Sequence, residues 1–163
     1  WKNRACGVVS LSMVLNYLNP SLGGSILTHW LIDRAMERGD CYLDGIGWRH
    51  KGLVALAEEF NYVGKCFDFF NESDEKALKK FFSLLRKGPV IVSVYNDFNP
   101  ENRGGHLIVA KGFDKGGETM IFINDPAVCE KYGKKTMAVS LDKFIKGWKR
   151  RFISITDMES DSK

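Results

Sequence analysis

Apolar residues in the first part of the chain recur at helical spacing. A first helix is predicted from Cys6 to Leu18, because its apolar residues follow an i, i+3, i+4, i+7 pattern. These residues are Val8, Leu11, Val14, Leu15 and Leu18. Further apolar side chains on its other faces favour a helix packed in the centre of a domain, and Asn19-Pro20 ends it. A second amphipathic helix is predicted from Ile26 to Arg38 with Gly39 as its cap, and a third from Trp48 to Phe60 after a glycine-bearing loop over 40–47.

The second half of the chain has the pattern of strands. Before it, Lys65 to Phe70 is interpreted as a short strand, and Ser73 is predicted to cap a helix that ends near Gly88-Pro89. Extended segments follow at Val90–Tyr95, His106–Phe113, Glu118–Asn124, Lys135–Val139 and Arg151–Thr156, with a short helix from Ser140 before the last of them. Short connections make neighbouring strands antiparallel. Helices followed by antiparallel strands predict an α+β domain over residues 1–157, with a frayed tail over 158–163.

Composition and charge narrow the classes of function. The 163 residues are 44% hydrophobic, which suits one domain with a sizeable core. The net charge of +4 is spread along the chain without a basic run interleaved with aromatics, so no nucleic-acid partner is expected. We interpret the basic cluster Lys146–Arg151 as a solvated helix end followed by a strand. No apolar stretch has membrane-spanning length, so no membrane insertion is expected, and a monomer is assumed.

The compartment stays open between two interpretations. The chain begins at Trp1, and a signal segment upstream would make the protein secreted or place it in the cell envelope, whereas a cytoplasmic location is the alternative. The cysteines Cys6, Cys41, Cys66 and Cys129 are widely separated and lack a nearby His pair, so neither a metal site nor any cofactor is expected. A Cys41–Cys66 or Cys66–Cys129 disulfide and free thiols in a reducing compartment both fit.

Cys6 is the candidate nucleophile. It directly precedes the apolar face of the first helix, where free N–H groups and the positive end of the helix dipole favour a thiolate. The alternative is a buried structural cysteine, so a partner base decides between the two. His29 is interpreted as a packed or half-exposed structural residue, and His50 as a solvated polar residue at a helix start. His106 differs because Gly104-Gly105 delivers it as the first residue of an apolar strand.

The hairpin after His106 predicts a partner for its imidazole. A turn across Lys115-Gly116 makes the numbers of paired residues add to 231, which sets His106 directly opposite Asp125. A turn across Gly116-Gly117 would instead give 233 and leave Asp125 diagonal to His106, still within reach. In either register a carboxylate can orient the imidazole ring.

These motifs resemble cysteine peptidase family 39. The resemblance is carried by Asn3-Arg-Ala-Cys-Gly-Val-Val-Ser-Leu-Ser-Met-Val-Leu15, Gly105-His-Leu-Ile-Val-Ala-Lys-Gly-Phe-Asp114 and Ile123-Asn-Asp-Pro-Ala127, in that order. The family is papain-like, and its best-known members are bacterial double-glycine peptidases that remove bacteriocin leaders. The resemblance implies the papain-like cysteine proteinase fold, with the nucleophile helix packed on the sheet of the C-terminal half. No ATP-binding or membrane region accompanies the domain, so we expect a stand-alone enzyme rather than an exporter.

The resemblance also implies the roles of the site residues. Cys6 would attack the carbonyl, His106 would shuttle the proton and Asp125 would orient His106. The family carries a glutamine oxyanion donor shortly before the cysteine, which alignment places just ahead of Trp1, so the backbone N–H of Cys6 and Asn3 are the donors proposed here.

The expected activity is hydrolysis of a peptide or isopeptide bond through an acyl-enzyme, with a peptide or protein as substrate. The alternatives are acyl transfer or transpeptidation by the same thiol, and a degenerate peptidase domain that serves as a peptide-binding module. Asp97, Phe98 and Glu101 are candidates for an acidic and aromatic rim facing a basic peptide.

Overall fold

The helices lie mostly where the sequence predicts them. A computed structural model describes residues 4–102, 104–127 and 136–158, except for the side chains at 25 and 26. The helices are α1 (Cys6–Leu18), α2 (Gly24–Arg38), α3 (His50–Glu58), α4 (Asp74–Leu85) and α5 (Leu141–Gly147), with 3-10 turns at Pro20–Leu22 and Asn96–Phe98. The predicted caps are confirmed: Ser73 and Ser140 accept from Lys76 and Lys143 N–H, and Gly39 ends α2 with a φ of 70°.

The strands form a small hairpin and a larger antiparallel sheet. In the hairpin β1 (Tyr42–Leu43) pairs with β2 (Gly47–Trp48). The sheet strands are β3 (Tyr62–Asp68), β4 (Val90–Tyr95), β5 (Gly105–Asp114), β6 (Met120–Asn124), β7 (Thr136–Ser140) and β8 (Trp148–Asp157). Their order across the sheet is β3-β8-β4-β5-β6-β7, and every neighbouring pair is antiparallel. The predicted α+β class is confirmed.

Helices cover both faces of this sheet. Alternation along the strands sends Ile91, Leu107 and Ile153 to the core formed with α1, α2 and α3. The adjacent residues Val92 and Ile108 belong to the core formed with α4 and α5. Helix α1 lies deep in the first core, where its Val8, Leu11, Val14 and Leu15 are fully buried. The expected central position of this helix is therefore confirmed.

The predicted third helix starts two residues too early. Trp48 belongs to β2, and α3 begins at His50. The turn over 44–46 and the positive φ of Gly45 and Gly47 close the small hairpin, and Arg49 N–H donates to the Cys41 carbonyl at 2.9 Å. This hairpin places the ring of Trp48 on Gly7 of α1.

The hairpin register predicted first is wrong, and the second alternative holds beside the site. Val109 pairs with Asn124, a sum of 233, whereas Asp114 pairs with Met120 across the loop 115–119. An irregularity in the pairing between Ala110 and Gly112 raises the sum of paired residue numbers by one along the hairpin. Asp125 therefore lies diagonal to His106, not opposite it.

Smaller features of the fold also differ from the predictions. Strand β3 begins at Tyr62 rather than Lys65, because Asn61 makes a turn with a φ of 63°. Cys41 and Cys66 are free thiols, so they form no disulfide with each other. Cys129, Lys135 and the tail from 159 lie outside the described residues.

Candidate active site

Cys6 is the first residue of α1. Its side chain is half-buried against the core between α1 and the sheet, and Gly7 and Val8 behind it are buried. The N–H groups of a helix's first turn have no acceptor within the helix, and the first turn of α1 carries no acidic side chain. The thiol therefore lies where free donors and the helix dipole favour an anion.

Trp48 fixes the start of this helix. Its ring packs so closely on Gly7 that a β-carbon added there would overlap the indole. The indole Nε1–H donates to the Arg4 carbonyl at 2.5 Å. Glycine at position 7 is therefore required by packing, and Trp48 positions the backbone on either side of Cys6.

We expect Gly7→Ala to lower activity about 10²-fold, because the added methyl group displaces either Trp48 or the backbone that carries Cys6. Gly88→Ala is the matched control, since a β-carbon there would meet only Tyr17 at an ordinary 3.8 Å. The two variants are compared by turnover and by thermal unfolding. Full activity of Gly7→Ala would show that the contact with Trp48 does not position Cys6.

A buried hydrogen bond joins the nucleophile helix to the histidine strand. Ser10, one turn after Cys6, donates its hydroxyl to the Leu107 carbonyl at 3.1 Å, and Ser10 is fully buried. Leu107 is the residue after His106. This bond ties the positions of the thiol and the imidazole to each other.

His106 bridges Cys6 and Asp125. Its Nε2 lies 2.6 Å from Asp125 Oδ1, and both side chains are less than one-fifth exposed. The Ala127 N–H donates to the same carboxylate oxygen at 2.8 Å and holds it in place. Because Nε2 is engaged by Asp125, Nδ1 is the nitrogen left for the thiol. The predicted contact between His106 and Asp125 is confirmed, in the diagonal register.

The electrostatics of this bridge favour a charged imidazole. Burial by itself lowers the pKa of His106, but hydrogen bonds with Asp125 and Cys6 outweigh burial and raise that pKa to about 9. The pKa of Asp125 is lowered: burial opposes the shift, and the contact with His106 outweighs it. A histidinium therefore persists at neutral pH between two groups that stabilise it.

Asn124 faces a different partner. Its Oδ1 accepts from Thr136 Oγ1 on β7 at 3.0 Å, and Lys111 Nζ donates to the same hydroxyl at 2.6 Å. Alternation along a strand sends the adjacent residues Asn124 and Asp125 to opposite faces of the sheet, which agrees with these contacts.

His50 is a site residue that the sequence interpretation missed. It is not a solvated residue: its Nε2 lies 2.7 Å from the hydroxyl of Ser93, which is itself buried. Burial, and then the charge of Arg151, lower the pKa of His50, so its imidazole is neutral at pH 7. The sequence signal was a serine in an otherwise apolar strand, Val90–Tyr95, which needs a polar partner. His29, in contrast, is exposed on α2.

Two cavities meet at His106. The first, which we call the Cys6 cavity, has a volume of about 380 Å³ and is lined by Cys6, Trp48, His50, Ser93, His106 and Lys149, among others. The second contacts Asp97, Phe98, His106, Asp125 and Lys143. Of the predicted rim, Asp97 and Phe98 therefore lie beside His106 and Asp125, whereas Glu101 is exposed and does not line either cavity.

Of the two residues predicted as oxyanion donors, Cys6 lies within the described residues and Asn3 does not. Cys6 is the first residue of α1, so its backbone N–H has no intrahelical acceptor. Within the described ranges no cluster of His, Cys, Asp or Glu could hold a metal, and no helix has the length and apolarity to cross a membrane.

A match to a protein-family model over most of the chain shows the family. The model of the Peptidase_C39 like family matches residues 1–152, which include Cys6, His106 and Asp125. The chain belongs to this family. It is a cysteine peptidase, as the resemblance of the three motifs implied. No curated protein sequence is significantly similar to it.

Solved structures share the fold of this family member. The peptidase domain of Streptococcus ComA, a bifunctional ABC transporter involved in quorum sensing, matches with a TM-score of 0.63 at 19% identity, over 96% of this chain and 93% of that one. A double-glycine motif protease from an AMS/PCAT transporter, crystallised with a leader peptide, matches with a TM-score of 0.59 at 21% identity, over 94% of this chain and 84% of that one. The papain-like fold expected from the motifs is thereby confirmed.

Proposed function

We propose that the protein hydrolyses peptide bonds with a Cys6-His106-Asp125 triad through an acyl-enzyme. The observation that carries the proposal is His106, which is held by Asp125 at 2.6 Å and hydrogen-bonded to Cys6 beside an open cavity. Membership of a peptidase family supports it, and so does the leader peptide bound to the AMS/PCAT protease.

The proposed reaction has two steps. The Cys6 thiolate attacks the substrate carbonyl carbon, and the backbone N–H of Cys6 donates to the oxygen that becomes negative. His106, charged at the start, gives its proton to the leaving amine nitrogen as the C–N bond breaks. Neutral His106 then takes a proton from water, whose oxygen attacks the thioester. The carbon–sulfur bond breaks, the carboxylic acid leaves, and the thiolate–imidazolium pair is restored.

Preferential alkylation of Cys6 tests the nucleophile. We expect iodoacetamide near pH 7 to label Cys6 at least tenfold faster than the other thiols, because a thiolate paired with an imidazolium reacts and a protonated thiol does not. The internal controls are Cys41, which is fully buried and whose pKa burial raises, and Cys66, which is exposed. Mass spectrometry of partly labelled protein gives the rates. Labelling of Cys6 no faster than Cys66 would make Cys6 a core cysteine and remove the proposed function.

A second measurement separates hydrolysis from the other uses of the same fold. An acyl-enzyme formed on Cys6 from an activated ester is followed with and without an added amine. Release of free acid supports hydrolysis, whereas an amide product that dominates at millimolar amine indicates acyl transfer. Peptide binding without any acyl-enzyme would indicate a binding module.

A further inference from the structure

The Cys6 cavity has a cationic wall. Lys149 and Arg151 of β8 line it together with Arg4, whose guanidinium is paired with exposed Asp44 at 2.9 Å, and no Asp or Glu is among the described residues that line it. The side chain of Lys149 is partly buried. Its ammonium group lies 4.6 Å from the centre of the Tyr95 ring and beside Gly105, where a β-carbon would come within 3.0 Å of Nζ. Lys149 is therefore next to the backbone of the residue before His106.

Lys149 has no counter-charge among the described residues. It makes no ion pair or hydrogen bond from its ammonium group within the described part of the chain, where the Tyr95 ring is its contact. Burial, and then the charge of Arg151, lower the pKa of Lys149. Burial and the like charge of Arg151 both destabilise the charged form of Lys149. An anion that enters the cavity would therefore stabilise the ammonium group.

Arg151 is only partly neutralised. Its Nε donates to Asp68 at 3.0 Å, and its guanidinium carbon lies 4.8 Å from the centre of the Phe70 ring. The terminal nitrogens make no hydrogen bond within the described residues, so donors remain for a planar oxyanion. His50, held by Ser93, occupies the same wall and is neutral, so it adds a hydrogen-bonding group without adding charge.

We propose that the Cys6 cavity is a subsite for a carboxylate of the substrate, which Lys149 and Arg151 bind close to the scissile bond. The cavity contains Cys6 itself and has a volume of about 380 Å³, so a group bound in it lies within one or two residues of the bond that is cut. This inference rests on the proposed peptidase function and specifies its substrate as a peptide with a carboxylate near that bond. The carboxylate belongs either to an acidic side chain or to the C-terminus of a short peptide.

Charge-matched probes of Cys6 test the subsite. Two pairs of short alanine-based peptidyl vinyl sulfones carry glutamate or glutamine, in the first or the second residue from the reactive group. A third pair, acetylated alanine dipeptides with a free acid or an amide C-terminus, competes with iodoacetamide for Cys6. For the wild-type protein we expect an acidic preference of about tenfold in at least one pair, the effect of one charge-assisted contact in a partly desolvated cleft. The pair that shows it identifies the source of the carboxylate.

Three variants connect that preference to Lys149. Lys149→Met keeps the length of the stem and its packing on Tyr95 but removes the charge, so the preference should fall to less than twofold. Lys149→Arg should retain it. Lys146→Met is the matched control, because Lys146 is exposed on α5 and lines neither cavity. Circular dichroism of each variant checks folding.

The outcomes separate this inference from the proposed function. Fast labelling of Cys6 by iodoacetamide, with no acidic preference in any of the three pairs, overturns the carboxylate subsite and leaves the peptidase proposal standing. A preference that persists in Lys149→Met also overturns it. Slow labelling of Cys6 by every reagent instead contradicts the proposed function itself.

Discussion

Replacing His106 with alanine is expected to lower peptide cleavage by about 10³-fold or more, because the variant loses both the proton donor for the leaving amine and the partner of the thiolate. In the structure this imidazole contacts both Cys6 and Asp125. His50→Ala serves as the matched control, since His50 lines the same cavity but is hydrogen-bonded to Ser93. A smaller loss for His106→Ala than for His50→Ala would make His50 the base.

The pH profile gives an independent reading of His106. Its pKa is raised from 6.5 to about 9, so the charged imidazole is present through the neutral range and is lost as pH rises through about 9. Activity that needs the thiolate–imidazolium pair should therefore show an alkaline limb near pH 9. An alkaline limb near pH 6.5 would mean that neither Asp125 nor Cys6 stabilises the charged ring.

The sequence predicts the helix of the nucleophile more accurately than the surface around it. Helix α1 spans Cys6 to Leu18 as predicted, because a dense apolar pattern ends at Asn19-Pro20 and packing and local preference agree. Helix α4 is predicted equally well from its cap at Ser73. Where a local signal and burial point the same way, an element and its ends can be predicted from sequence.

The errors arise where the outcome depends on distant contacts. His50 lies between Arg49 and Lys51, a polar local sequence that predicts exposure, yet the fold turns its ring onto Ser93 on a strand 43 residues later. The local sequence of Lys149 and Arg151 likewise predicts a solvated helix end followed by a strand. Arg151 pairs with Ser93 of β4, and Lys149 lies in the irregular stretch of β8 before it, so both reach the cavity only when β8 is placed beside β4.

In the β5–β6 hairpin the register predicted first is wrong, yet the predicted contact between His106 and Asp125 is present. The direct pairing of His106 with Asp125 required a two-residue turn, but the loop spans 115–119 and the ladder is irregular after Ala110. A diagonal neighbour on the same side of the sheet remains within reach of a long side chain. The imidazole spans the diagonal, and the Ala127 N–H holds the carboxylate at the required place.

The second large loss of activity is expected on replacing Asp125, the residue that orients His106. Asp125→Ala is expected to lower peptidase activity by about 10²-fold or more, because the ring loses the group that fixes its orientation and its charge. Without that carboxylate the pKa of His106 falls, so the imidazolium stabilises the thiolate over a narrower range. The alkaline limb of activity should move below pH 9, and alkylation of Cys6 should require higher pH. Stopped assays of peptide cleavage and of Cys6 alkylation across about pH 5 to 10 measure both pH dependences.

Asn124→Ala is the control that distinguishes Asp125 from its neighbour, since papain-like enzymes elsewhere use an asparagine to orient the histidine. In this structure Asn124 binds Thr136 on β7, whereas Asp125 lies 2.6 Å from His106 Nε2. We therefore expect Asn124→Ala to change activity less than about threefold and to leave the pH profile of Cys6 alkylation in place, as the loss of one exposed hydrogen bond predicts. If Asn124→Ala is the more damaging of the two changes, the strand is shifted by one residue in the active enzyme, and the amide rather than the carboxylate orients His106.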